Sequence, residues 1–134
     1  MAETPQAKLQ ALSEEFTKLQ TEMQTVVSSR QKLEAQRQEN SGVKSEFGKL
    51  KDDEAIYKLV GPALLKQDKV EAESTVDGRL EFINKEITRQ ESQIKETQEK
   101  VERVKGDIIR IQTAAQSAAQ GKAPAAAGAG AAKA

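Results

Sequence analysis

Cysteine, histidine and tryptophan are all missing from this chain of 134 residues. Without cysteine there is no disulfide and no thiol chemistry. Without histidine the chain lacks the side chain that titrates nearest neutral pH, the base of Ser-His and Cys-His pairs, and the commonest zinc ligand. Carboxylates remain, but catalysis by carboxylates needs a shaped pocket, and a pocket needs a thick core. Aromatics make up only 3% of the residues. Leu, Ile, Val and Phe together stand near the level of about 20% at which chains begin to look disordered. Narrow apolar seams on long helices fit this composition better than a globular core. The chain therefore reads as a non-enzyme with no catalytic residues, no metal ligands and no cofactor.

An excess of one charge is also missing. Lys and Arg number 21 and Asp and Glu number 21, for a net charge of zero. Nucleic acid and anionic membrane both select an excess of positive charge, so neither is expected as a partner. No apolar run is long enough to cross a bilayer. Met1-Ala2-Glu3-Thr4-Pro5 lacks the basic-then-apolar pattern of a secretory signal. The expected address is the cytoplasm.

What the chain does have is periodicity. Thr4-Pro5 is a helix start, with Thr4 as cap and Pro5 where no N–H is needed. Leu9, Leu12, Phe16, Leu19, Met23 and Val26 then follow at alternating gaps of three and four, a heptad stripe. Arg30, Arg37 and Asn40 interrupt it around Leu33, and Val43, Phe47 and Leu50 resume in a shifted phase. Gly42 and Gly48 each weaken this stretch by roughly 1 kcal/mol relative to Ala. The second stripe is cleaner. Val76, Leu80, Ile83, Ile87, Gln90, Ile94, Thr97, Val101, Val104, Ile108 and Ile111 alternate without a slip, and Ala115 and Ala118 continue the phase. Asp68 with Glu71 resembles a capping box ahead of it, and Gly121, Lys122 and Pro124 close it.

Between the stripes lie two short apolar runs, Ala55 to Val60 and Ala63 to Gln67, around Gly61-Pro62. This is a β-hairpin signal, with a loop of two or three residues. The predicted fold is mainly α: a long antiparallel two-helix coiled coil with a single β-hairpin between the helices. A single unit of about 1–120 holds a helix at about 5–51, a hairpin at about 55–67 and a helix at about 69–120. Residues 121–134 form an Ala/Gly-rich tail expected to be disordered. Each helix spans roughly 70 Å. A register about Gly61-Pro62 sets Phe47 near Val76, Leu33 near Gln90, Phe16 near Ile108 and Leu12 near Ile111. Both chain ends then meet at one tip, and the hairpin occupies the other.

The two tips carry different liabilities. A lone hairpin is marginal in water, and its open edges and apolar faces invite other chains. Ile56, Tyr57, Leu59, Val60, Leu64 and Leu65 are accordingly the candidate assembly residues, covered most simply by hairpins of related chains closing into a shared sheet or barrel. At the opposite tip a two-helix seam has no third layer and is expected to fray. Leu9, Leu12, Phe16, Ile108, Ile109 and Ile111 then form a candidate surface for weak apolar binding. Ile109 lies beside the seam and is expected to be exposed permanently.

Four strings make the pattern more specific: Arg30-Gln31-Lys32-Leu33-Glu34-Ala35-Gln36, Tyr57-Lys58-Leu59-Val60-Gly61-Pro62, Leu65-Lys66-Gln67 and Arg79-Leu80-Glu81-Phe82-Ile83. With the helix–hairpin–helix order they resemble the β-type subunits of prefoldin, from about residue 5 to about residue 120. The resemblance implies a heterohexamer, with two α-type and three further β-type subunits as partners. It implies a double β-barrel platform built from hairpins and six coiled coils extending from it. It further implies that the coiled-coil tips hold non-native clients such as actin and tubulin and pass them, without ATP, to the cytosolic group II chaperonin TRiC (CCT). A self-associating structural or adaptor coiled coil is the rival reading. It accounts for the heptads but gives no reason for an apolar hairpin between them.

Overall fold

The computed structural model describes residues 3–120. The expected disordered tail and the helix stop at Gly121 to Pro124 lie outside the described residues. Helix α1 (Pro5–Lys49) leads to strands β1 (Ile56–Val60) and β2 (Ala63–Gln67), and helix α2 (Lys69–Ala119) follows. Thr4 caps α1, its Oγ1 accepting the Ala7 amide at 3.1 Å. Helix α1 runs through Gly42 and Gly48 before it ends at Lys49. A short turn follows, in which the Glu54 amide donates to the Lys51 carbonyl at 3.0 Å. Asp68 is the only residue between β2 and α2, and its Oδ2 accepts the Glu71 amide at 3.3 Å. The cap half of the predicted capping box is thus made by Asp68.

The chain divides into two units. The hairpin unit is Val26–Gln93. The terminal unit draws on Met1–Thr25 and Ile94–Ala134, of which 3–25 and 94–120 are described.

In the hairpin unit Ala72, Val76, Ile83 and Ile87 are buried, and Leu33 and Phe47 of α1 and Leu50 just after it are half-buried. A ladder of polar pairs crosses between the helices beside this seam. Lys44 pairs with Asp77 at 2.7 Å, Arg37 donates to the Asn84 side chain at 3.4 Å, and Arg30 reaches Glu91 at 3.5 Å. Each step moves seven residues back along α1 and seven forward along α2. That is what an antiparallel heptad pairing requires. Arg30 and Arg37, which interrupt the apolar stripe, therefore turn their guanidinium groups to partners on α2. Such pairs are partly exposed, so each contributes at most about 1 kcal/mol, and their value lies in register.

Gln90 is a buried interruption of the stripe, 7% exposed. Its Nε2 donates to Ser29 Oγ at 2.8 Å, while Oε1 is buried with no partner among the described residues. In the terminal unit Leu19, Thr97 and Val104 are buried. Leu9, Leu12, Phe16, Met23, Ile94, Val101, Ile108 and Ile111 are half-buried. Every buried side chain of α2 apart from Ala72 lies on the predicted heptad stripe.

Candidate functional site

The hairpin is built around one turn. The strands pair as Ile56↔Gln67, Tyr57↔Lys66, Lys58↔Leu65, Leu59↔Leu64 and Val60↔Ala63, so the loop holds two residues, Gly61 and Pro62. Gly61 has φ 58°, and the Pro62 ring fixes its own φ near −65°. Positive φ at the first central position alone is the type II′ pattern, whose twist matches that of the flanking strands. Only glycine takes that position without strain, which is why the two-residue loop forms here.

The register sorts the side chains by face, because neighbouring residues on a strand point to opposite sides. Tyr57, Leu59, Leu64 and Lys66 share one face. Ile56, Lys58, Val60, Ala63, Leu65 and Gln67 share the other. At the base of the second face, Ile56 and Gln67 are half-buried and line a cleft of about 220 Å³ with Phe47, Ala72 and Val76. The rest of the hairpin is bare. Leu59 and its partner Leu64 are 69% and 66% exposed, and Tyr57, Val60 and Leu65 are exposed as well. The sheet has only these two strands, so each strand also leaves one row of backbone donors and acceptors unpaired. Five of the six predicted assembly residues are thus exposed together, with Ile56 anchoring the hairpin to the helices.

The terminal unit offers a second, weaker apolar surface. Leu12 and Ile111 line a cleft of about 310 Å³ with Ala11, flanked by Lys8, Asp107 and Arg110. Ile109 projects beside the seam and is 62% exposed. Leu9, Phe16 and Ile108 are half-buried. The structure therefore separates Ile109, which is open to solvent, from five seam residues that are partly covered. No salt bridge crosses between α1 and α2 among the described residues of this unit.

Phe82, quoted in the sequence only as part of a string, is 64% exposed on α2. Its signal was an aromatic residue at a heptad position outside the seam, one residue before the buried Ile83. Ser29 was likewise not singled out, since a serine near a stripe carries no signal until Gln90 is placed opposite it. Among the described residues no group of three or more acidic side chains is placed to hold a metal ion. No described helix is long and apolar enough to cross a membrane.

Comparison with known proteins places these features in one family. Residues 10–115 match the family model described as Prefoldin subunit. The chain is 41% identical over 111 residues to prefoldin subunit 6 of Saccharomyces cerevisiae, covering 83% of this chain and 97% of that protein. It is 41% identical over 124 residues to prefoldin subunit 6 of Mus musculus, covering 92% of this chain and 98% of that protein. Among solved structures, the prefoldin beta subunit from Thermococcus strain KS-1 superposes with a TM-score of 0.69 at 27% identity, over 75% of this chain and 88% of that one.

Proposed function

The chain belongs to the prefoldin subunit family, and from that premise we propose that its hairpin docks it into a prefoldin hexamer while its terminal unit holds non-native proteins. As a family member it is a non-enzymatic co-chaperone subunit that assembles with other prefoldin subunits. The finer reading is a heterohexamer of two α-type and four β-type subunits acting in the cytoplasm. In it, clients such as actin and tubulin are held at Leu9, Leu12, Phe16, Ile108, Ile109 and Ile111. They are then delivered to the chaperonin TRiC (CCT) without ATP.

The observation that carries the reading is the bare hairpin. Leu59 and Leu64 sit opposite each other on a two-stranded sheet with two open edges. Burying two leucines contributes about 1.5–3 kcal/mol each, and pairing the edges satisfies backbone groups that otherwise face water. Both gains are open to hairpins of other chains. The terminal surface supports client holding in a different way. Its apolar groups are dispersed and partly covered, which suits weak contact with many sequences rather than one tight interface.

One set of variants tests both halves. Leu59→Asp with Leu64→Asp is expected to abolish assembly with partner subunits, read by native mass measurement, while circular dichroism keeps its helical signal. Ile108→Ser, Ile109→Ser and Ile111→Ser together are expected to leave the assembled mass unchanged and weaken suppression of client aggregation severalfold. Hexamers formed by the hairpin variant would remove the docking role. Undiminished suppression by the triple variant would remove the client role.

A further inference from the structure

We propose that the assembly surface does not stop at the hairpin but continues along the hairpin unit into a groove around Phe82, where a neighbouring, non-identical prefoldin subunit seats an apolar side chain beside a carboxylate. The inference rests on the reading of the hairpin as the docking element.

Three observations carry it. The first is continuity. The cleft at the hairpin base is lined by Tyr57 and Lys58 and also by Thr75 and Arg79 of α2. The same Thr75 and Arg79 line a second groove, of about 560 Å³, together with Gln36, Asn40, Gly78 and Phe82. One surface thus leads from the hairpin to Phe82 without leaving the unit.

The second is an aromatic side chain that the chain itself does not cover. Phe82 is 64% exposed. Gly78 lies one turn before it on the same helix face. A Cβ added at Gly78 would meet nothing within 4 Å, so the chain's own packing does not require glycine there, although glycine lowers helix propensity. The recess is available to a group from outside. An exposed aromatic that a partner can bury next to a recess is suited to be an interface anchor.

The third is charge. Three acids on α2 near Arg79 are already engaged: Asp77 with Lys44, Glu81 with Lys85 and Glu86 with Arg89. Arg79 stands between the two clefts, exposed, and has no hydrogen-bond or ion-pair partner among the described residues. Its guanidinium is suited to a carboxylate supplied in two-point contact by the neighbour. An unfolded client, by contrast, offers no fixed carboxylate at a set distance from an apolar group.

The test is site-specific photo-crosslinking in hexamers reconstituted from purified subunits, with and without a denatured client. A benzophenone side chain replaces Phe82 in one preparation and Leu59 in another. Capture of a partner subunit from both positions, with or without client, is the expected result. Capture at 59 but not at 82 would overturn the groove and leave the hairpin reading standing. Capture of a subunit from neither would bring down the hairpin reading as well. Capture at 82 of client only, or of a second copy of this chain only, would also overturn the proposal. Two variants supply an independent readout. Phe82→Ala and Arg79→Glu are each expected to weaken assembly about tenfold or more. Gly78→Leu is expected to raise the melting temperature of the isolated chain through helix propensity while weakening assembly by filling the recess. Assembly unchanged in all three would overturn the groove.

Discussion

The hairpin unit and the terminal unit are built from the same two helices and the same heptad repeat, yet they differ in what holds the helices together. In the hairpin unit four apolar side chains of α2 are buried, and three polar pairs one heptad apart bridge to α1. In the terminal unit the buried set is Leu19, Thr97 and Val104, and the seam from Leu9 to Phe16 is only half-covered. The difference teaches that a heptad stripe specifies which residues face the partner helix but not how firmly. Firmness comes from burial and cross-helix pairing. The tightly built unit carries the most exposed apolar hairpin, so a rigid base presents a docking element. The loosely built unit carries dispersed apolar groups, and local opening costs least where few contacts are buried.

The contrast breaks most readily at the buried stripe. Ile87, only 2% exposed, sits in the hairpin unit, and Ile87→Ala is expected to cost about 2–5 kcal/mol. Ile109→Ala, in the terminal unit, is expected to stay within about 0.5 kcal/mol of the parent. Urea unfolding of the two variants, followed by circular dichroism, measures both. Equal losses would mean that the buried stripe holds the fold no more firmly than a side chain beside the seam.

A second, smaller effect concerns the polar break in the hairpin unit. Gln90→Leu together with Ser29→Ala removes a buried amide whose Oε1 has no partner among the described residues. Replacing both members of such a pair by apolar groups spares the cost of the orphaned atom, so a gain of about 1 kcal/mol is expected. Gln90→Leu alone should gain less, because it strands the Ser29 hydroxyl. A thermal melt of the single and double variants sharpens the comparison, since a gain shows that this unit trades stability for a defined pairing at Gln90. A loss in the double variant would show instead that the Gln90–Ser29 bond holds the register.

The smallest expected effect is electrostatic. Arg89 donates three hydrogen bonds to the Glu86 carboxylate. These bonds, aided by the guanidinium charge, hold the Glu86 carboxyl below its ordinary value. A carboxyl with a lowered value in the fold contributes stability above its ordinary value and loses it as the pH falls through the lowered one. The pair is a surface pair, so its contribution is slight. The difference in melting temperature between the parent and Glu86→Gln is expected to shrink as the pH is lowered through that window. A difference that grows on acidification would reverse the assignment.

Much of this protein was legible in its residue order. The absence of histidine and cysteine removed the commonest catalytic and metal chemistry. Alternating gaps of three and four from Val76 to Ile111 marked a seam on α2, because an apolar stripe on a helix has one stable destination, a partner helix. Thr4-Pro5 and Asp68 marked helix starts, since caps are local interactions between neighbours in sequence. Gly61-Pro62 between apolar runs marked a hairpin. All of these are short-range facts, and short-range physics is written residue by residue.

What only the tertiary structure decided were matters of pairing. The sequence allowed a hairpin loop of two residues or three, and the Leu59↔Leu64 pairing chose two. It left Arg30 and Arg37 as breaks in a stripe, and the fold set them opposite Glu91 and Asn84. It presented Gln90 as a soft spot, and the fold buried it against Ser29. It marked Phe82 as an ordinary member of a string, and the fold left it bare beside a recess. In each case the deciding partner lies elsewhere in the chain: across the turn for Leu59 and Leu64, and dozens of residues away across the helices for Arg30, Arg37 and Gln90. No local rule specifies which distant residue will arrive, because that follows from how the two stripes bury one another along their length.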